Sequence, residues 1–385
     1  MQQTTSKQPR FILNIDDRAG HPAVSENVDV LIQEALEHII SETPPQDEYS
    51  HRQCRGLFQG PTAVAYLFLK IGVKHPAIRV RDHSLRQWAR LYMKAKRKGG
   101  DYVPCGLSCE SAGFWAVQTM FDDANASKFC NVLNRLVEEE GHPCELLFGY
   151  SGLLYMIRAV ESWIGQNAEI ASSMATIKAR IMEKILSAGP GWTWHEKRYI
   201  GAVHGDVGIL TQLLLTDPKL AANSMVSKAV NRLLSLQRAD GNWNTKDDDS
   251  VRYNGLVQFC HGAPGFVLSL LHLRRLFPNV QDAINEAIEL GRDLIWQQGL
   301  LRKEPCLCHG ILGNALALPA GQKRDLFLSW SLPGRIAEER RKDDTIFPPE
   351  DPEKMSTWFN YWPSVAWTWS QSVAEIPDII LYTDV

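Results

Sequence analysis

The amino-acid sequence predicts an all-α fold in which inner and outer helices form a double ring, an α/α toroid. Apolar residues recur at the i, i+3, i+4 and i+7 spacing of helices almost throughout, and alternating runs long enough for strands are nearly absent. Turns that contain glycine recur about every fifty residues, which indicates a repeat architecture of about seven helix pairs.

Amphipathic helices make up the outer ring of this prediction. In residues 28–41 the apolar positions form one stripe, while Glu34 and Glu37 take the solvent side. Residues 226–236 and 284–295 repeat the pattern. Each of these helices needs one neighbour to cover its apolar stripe.

Helices of a second kind are apolar on nearly every side, and each follows a turn that carries glycine. The turns and the helices that follow them are Gly56–Gly60 and Pro61–Leu69, Cys109–Gly113 and Phe114–Met120, Gly149–Gly152 and Leu153–Ile157, Gly205–Gly208 and Ile209–Leu215, Gly262–Gly265 and Phe266–Leu271, and Gly310–Gly313 and Asn314–Leu318. Such helices must be surrounded by protein, so we expect them to form the inner ring. The turns, with free backbone N–H groups, should then collect around one cavity, where polar side chains are candidate site residues.

Composition excludes several classes of function. The 385 residues contain 41 Lys plus Arg against 44 Asp plus Glu, without a basic block, so nothing indicates nucleic-acid binding. The sequence has no signal peptide and no apolar stretch of ~18 residues, so we expect no membrane span. Eight cysteines are too few for a disulfide scaffold in a chain of this length, which favours a cytoplasmic location.

Three of the glycine turns also carry cysteine or histidine, and the side chains concerned are His204, Cys260, His261, Cys306, Cys308 and His309. Thiolate and imidazole together favour Zn²⁺. Three protein ligands with an open fourth position are typical of catalytic zinc. A satisfied Cys–His pair in the core is the alternative.

Four segments, 145–152, 200–209, 259–265 and 307–310, resemble the lanthionine synthetase C-like family, and the eukaryotic glutathione-binding branch is the more similar. The resemblance implies a double ring of helices. It also implies one Zn²⁺ per chain, held by a set of three ligands with a thiol substrate at the open position: Cys260, Cys308 and His309.

The resemblance assigns further roles, each with an alternative. His204 matches the acid–base histidine of the family, unless it only packs at its turn. Glu145 matches a carboxylate position, although an acid at a helix start also satisfies the helix dipole. Lys303 matches a lysine that contacts glutathione, or it is a solvated surface lysine. Cys306 is a core thiol or a spare ligand, and His261 is not a ligand in the family.

The C-terminal part departs from the family pattern. Residues 356–369 carry aromatic side chains where the family has a seventh glycine turn, and Tyr150 stands where an arginine is common. One wall of the pocket should therefore be more apolar, which favours a bulkier or more apolar partner than glutathione. We expect residues 1–385 to form one domain, with 1–25 as an extension and 345–385 as a divergent last repeat.

The hypothesis is a zinc-dependent enzyme that forms a C–S bond, resembling a glutathione transferase or a lanthionine cyclase. It would add a thiol, from glutathione or cysteine, to an α,β-unsaturated peptide or small molecule such as a dehydroamino acid. The alternative is a non-catalytic zinc- and glutathione-binding regulatory protein. A terpene-cyclase-type toroid is disfavoured, because the Gln-x-x-Asp-Gly-x-Trp motif at 237–243 occurs once and no Asp-Asp-x-x-Asp motif accompanies it.

Overall fold

A computed structural model describes residues 9–14, 28–98, 104–165, 168–248, 254–349 and 351–385. Most of the predicted extension at 1–25 lies outside these ranges. The all-α prediction is confirmed, with α1 (Val28–Glu42), α2 (Pro61–Lys74), α3 (Leu85–Lys94), α4 (Glu110–Phe121), α5 (Ala126–Glu138), α6 (Tyr150–Glu161), α7 (Ala168–Ala188), α8 (Asp206–Thr216), α9 (Ser224–Ser235), α10 (Ala263–Leu273), α11 (Gln281–Gln298), α12 (Ile311–Ala317), α13 (Gln322–Ser329), α14 (Pro333–Lys342) and α15 (Tyr361–Ser370). Two short sheets accompany them: β1 (Glu48–Tyr49) pairs in parallel with β4 (Lys96–Arg97), and β2 (Arg79–Val80) pairs antiparallel with β3 (His83–Ser84).

The apolar helices form a closed inner ring. Each contacts the next, and the last contacts the first, in the order α2, α4, α6, α8, α10, α12 and α15. The amphipathic helices α3, α5, α7, α9, α11 and α13 each pack on the inner helix that precedes them, whereas α1 packs on α15. The first outer helix therefore packs on the last inner helix, and this contact joins the two ends of the ring.

Backbone hydrogen bonds connect neighbouring turns at the mouth of the ring. The N–H groups of Leu57, Leu107 and Leu146 donate to carbonyl groups one turn further on, at 3.0, 3.2 and 3.2 Å. Cys260 and Cys308 do the same at 3.2 and 3.0 Å. Several of the N–H groups that the sequence suggested would be free are thus used to hold the turns together.

Five inner helices begin three or four residues earlier than the sequence predicted, because the second glycine of each turn belongs to the helix. Gly152 lies in the first turn of α6. A Cβ atom there would stand 2.2 Å from the Leu146 carbonyl oxygen and 2.5 Å from the Leu107 nitrogen. This glycine therefore allows a helix to approach the preceding turn closely.

The motif at 237–243 has a structural role, because its side chains pack against α10. The Trp243 ring is buried and stacks on Phe266 with ring centroids 4.2 Å apart. The Asn242 side chain accepts a hydrogen bond of 2.8 Å from the Ala263 N–H, at the start of α10. These contacts explain the motif without any diphosphate chemistry.

The segment 379–385 fills the centre of the inner ring. Asp384 accepts hydrogen bonds from the hydroxyls of Tyr155 on α6 (2.8 Å) and Tyr66 on α2 (3.2 Å), and it pairs with Lys70 at 3.1 Å. The Tyr382 hydroxyl meets the Ser269 hydroxyl of α10 at 2.6 Å. The segment thus connects α2, α6 and α10, which are not neighbours in the order of the ring.

Candidate active site

Two cysteine side chains that the sequence places 48 residues apart meet at the mouth of the ring. The Cys308 thiol donates a hydrogen bond to the Cys260 sulfur. The Gln258 amide also donates to this sulfur at 3.0 Å, and the Lys303 ammonium donates to the Gln258 carbonyl oxygen at 3.2 Å. Lys303 is exposed, but its charge lies at the edge of the cysteine pair.

The cysteine pair favours a thiolate. The hydrogen bond from Cys308 is the main cause that lowers the pKa of Cys260, and the Gln258 amide and the charge of Lys303 lower it further. The same hydrogen bond raises the pKa of Cys308 well above its ordinary value. Cys260 is therefore the sulfur that ionises first.

The cysteine pair provides some, but not all, of the ligands that a soft metal ion needs. Two sulfurs are in contact, and His309 follows Cys308 in the chain. However, no three His, Cys, Asp or Glu side chains among the described residues stand close enough together to hold a metal ion. The His309 ring instead makes an edge contact with Phe359, with centroids 5.1 Å apart. The two sulfurs are suitable ligands for zinc, but His309 does not complete a group of three ligands with them.

Cys306 is fully buried, and burial raises the pKa of its thiol to about 12. A thiol in this state resembles a core side chain more than a metal ligand.

Glu145 and His204 form a hydrogen-bonded pair on neighbouring turns. The Nδ1 atom of His204 lies 2.6 Å from a Glu145 carboxylate oxygen, and Glu145 is only 1% exposed. The carboxylate also accepts hydrogen bonds from the backbone N–H groups of Leu147 and Phe148. An ionised carboxylate can only accept, so Nδ1 carries the proton and Nε2 is free to exchange one. Glu145 therefore accepts hydrogen bonds from its own turn and contacts His204, and its catalytic role stays a prediction.

His261 lies between the two groups. Its ring centroid is 6.3 Å from that of His204, and the residue follows Cys260 directly. Burial, and then the electrostatic effects of His204, Lys303 and Lys246, lower the pKa of His261 to about 4. It is therefore neutral at pH 7, and its buried Nδ1 has no hydrogen-bond partner among the described residues.

Aromatic side chains surround the site on two sides. The Trp194 ring stacks on His204 with centroids 4.0 Å apart. A groove of ≈ 770 Å³ opens beside this stack and includes Phe148, Trp192 and Trp194 in its lining. On the other side, Phe359 contacts both His309 and Phe58, which gives the apolar wall expected at the seventh turn.

Sequence reasoning missed Trp194, Gln258 and Phe148. Gln258 stands two residues before Cys260 and directly before the segment 259–265, so its position was a usable signal. Trp194 precedes the glycine turn of His204 by ten residues and no periodic pattern marks it.

Residues 89–324 match the family model of lanthionine synthetase C-like proteins. This chain belongs to that family. Among curated relatives, a zebrafish (Danio rerio) protein named glutathione S-transferase LANCL1 is 33% identical over 188 residues, which are 45% of this chain and 45% of that protein. The LanC-like protein GCL1 of Arabidopsis thaliana is 28% identical over 209 residues, covering 52% of this chain and 46% of that protein. The chain thus spans about half the length of the curated relatives it matches.

Nisin cyclase is a structural neighbour of this lanthionine synthetase C-like protein. The TM-score is 0.58 at 13% sequence identity, and the match covers 90% of this chain and 94% of the cyclase. At that identity the similarity establishes the helical toroid. Among the described residues, no helix combines the length and apolarity that a bilayer crossing requires.

Proposed function

We propose that this protein adds a thiol to an α,β-unsaturated electrophile and so forms a C–S bond, with one Zn²⁺ per chain. Glutathione or a cysteine residue would supply the thiol, and a dehydroamino acid in a peptide or small molecule is the electrophile. The observation that carries the proposal is the Cys260–Cys308 sulfur pair. The ring of His261, the residue after Cys260, lies 6.3 Å from the ring of His204, which is paired with the buried Glu145.

Cys260, Cys308 and His309 would hold the metal, and binding requires His309 to join the sulfur pair. Zn²⁺, when bound, supplies positive charge that ionises a thiol at neutral pH. The ammonium group of Lys303 lies on the Gln258 side of the pair, where it favours an anionic thiol substrate.

His204 moves the proton in this proposal. Its Nε2 takes the proton of the substrate thiol, and Glu145 stabilises the resulting imidazolium through Nδ1. The sulfur then attacks the β-carbon, and the C=C electron pair moves to the α-carbon as an enolate. Nε2 returns the proton to that α-carbon. One S–H bond and one π bond are replaced by one C–S and one C–H bond, without any oxidant.

The zebrafish relative, whose name is glutathione S-transferase, supports a thiol substrate. The groove beside the Trp194–His204 stack has room for a side chain next to the reacting alkene. A non-catalytic receptor for zinc and a thiol is the second candidate. The aromatic side chain of Phe359 at His309 favours it, because the last turn carries aromatic residues where the family has a glycine turn.

The test combines zinc analysis of the purified protein with mass spectrometry of a glutathione and dehydroalanine-peptide mixture. We expect Cys308→Ala to lose bound zinc and to lower adduct formation ~100-fold or more. We expect His204→Asn to keep zinc and to lower turnover ~10²- to 10⁴-fold. Cys306→Ala is the matched control and should keep both.

Retention of zinc and turnover by Cys308→Ala would contradict the proposal. Glutathione binding by the wild-type protein without any adduct above the uncatalysed rate would favour the receptor instead.

A further inference from the structure

A tight hairpin brings Trp194 to the site. The Trp194 N–H donates to the Lys197 carbonyl at 3.0 Å, and the Lys197 N–H donates back at 3.1 Å. The two central residues, His195 and Glu196, have φ values of 48° and 60°. Two-residue hairpins with this geometry prefer glycine or asparagine, so this backbone is strained. Strain of this kind is found preferentially at functional sites.

Three rings lie parallel beside the Glu145 carboxylate. The Trp194 and His204 planes differ by 3°, with centroids 4.0 Å apart. The Phe148 and Trp194 planes differ by 5°, with centroids 6.1 Å apart. The backbone N–H of Phe148 also donates to the carboxylate that binds His204. The edge of the imidazole is therefore fixed by Glu145 and its face by Trp194.

We propose that Trp194 is a positioning residue for His204, whose indole ring sets the plane of the imidazole and so aims Nε2 at the reacting atoms. This inference rests on the proposed acid–base role of His204. A single hydrogen bond at Nδ1 leaves the imidazole free to tilt about that bond. A ring stacked on its face removes this freedom, and misplacement of a reacting group by 1 Å can lower a rate ~10²-fold.

The first test is an NMR measurement, which does not depend on enzymatic activity. In ¹⁵N-histidine-labelled protein, the Nδ1–H of His204 should give a downfield, slowly exchanging signal, which His204→Asn identifies by its loss. We expect Trp194→Leu to abolish this signal and Trp194→Phe to keep it, because a phenyl ring still stacks. Trp194 is only half-buried, so these variants leave the core intact.

The matched control is Trp296→Phe. Trp296 lies on the outer helix α11, is half-buried like Trp194, and stacks on Phe327 with ring centroids 6.0 Å apart. This substitution should leave the His204 signal unchanged. A His204 signal in Trp194→Leu with the wild-type shift and exchange rate overturns the inference.

The second test is kinetic. We expect Trp194→Leu to lower kcat for thiol addition ~10- to 100-fold with little change in KM, and Trp194→Phe to restore most of the rate. An equal loss in Trp296→Phe would reduce Trp194 to a packing residue and overturn the inference. If the wild-type protein forms no adduct, the proposed function fails, and the spectrum alone then decides the role of Trp194.

Discussion

Asp206 carries a buried carboxyl group next to the turn of His204. Its Oδ1 has no hydrogen-bond partner among the described residues, and burial raises the pKa of the group from 3.8 to about 7. The folded protein therefore binds more protons than the unfolded chain between these two pH values. The free energy of unfolding should fall as pH rises through this window, by about 4 kcal/mol at most.

We expect Asp206→Asn to be more stable than the wild-type protein at pH 8, because the amide carries no charge to bury. The advantage should disappear near pH 3, where the carboxyl group is protonated in both states. Urea unfolding at the two pH values measures it. Asp123→Asn, at an exposed aspartate, should change little at either pH, and an equal gain there would contradict the explanation.

Individual site residues were predictable where a glycine turn carried them. Cys260, Cys308 and His204 lie in such turns, and the fold brings the two cysteines into contact. The contacts of Trp194 were not predictable, because they depend on the way a separate hairpin folds back over the turn of His204. The zinc set and its ligand His309 stay predictions.

Helix α6 depends on the absence of a side chain at Gly152. A methyl group there would meet backbone atoms of Leu146, Leu107 and Gly106, which cannot move without displacing the mouth of the ring. We expect Gly152→Ala to lower the free energy of unfolding by about 3 kcal/mol. Chemical denaturation measures the change.

Gly334→Ala is the control, since an added Cβ in the first turn of α14 meets no atom within 4 Å. It should raise stability by about 0.5–1 kcal/mol through helix propensity. Equal effects of the two substitutions would mean that close packing at the turn is unimportant.

Helical periodicity identified the outer helices well, and the bounds of α1 and α11 lie within a few residues of the prediction. The starts of the inner helices were less predictable. Glycine ordinarily marks a turn, and here close packing places the second glycine inside the helix.

The buried Asp384 group holds the segment 379–385 inside the ring. Removal of its carboxylate would take one hydrogen-bond acceptor from the hydroxyls of Tyr66 and Tyr155. It would also remove the anion that faces the Lys70 charge, which would keep only a backbone carbonyl. We expect Asp384→Ala to lower the free energy of unfolding by about 3–5 kcal/mol, measured by urea titration. Glu37→Ala, which breaks an exposed pair with Arg81, should change it by less than about 1 kcal/mol.

The repeat of glycine turns predicted the ring, but two of its features could not be read from the sequence. Helix α1 packs on α15, and the segment 379–385 enters the centre. Both are contacts between distant parts of the chain, which local periodicity does not encode.

The hydrogen bonds that join the last turn of the ring to its neighbours have a consequence for biosynthesis. The Ser356 hydroxyl donates to the Phe58 carbonyl at 3.1 Å across 298 residues, and the Cys308 N–H donates to the Trp358 carbonyl at 3.0 Å. A ribosome must therefore release residues 356–358 before the ring can close. Until then the apolar inner surfaces are exposed to solvent or to chaperones. The turn that carries Cys308 gains its last backbone partner only at that late stage of maturation.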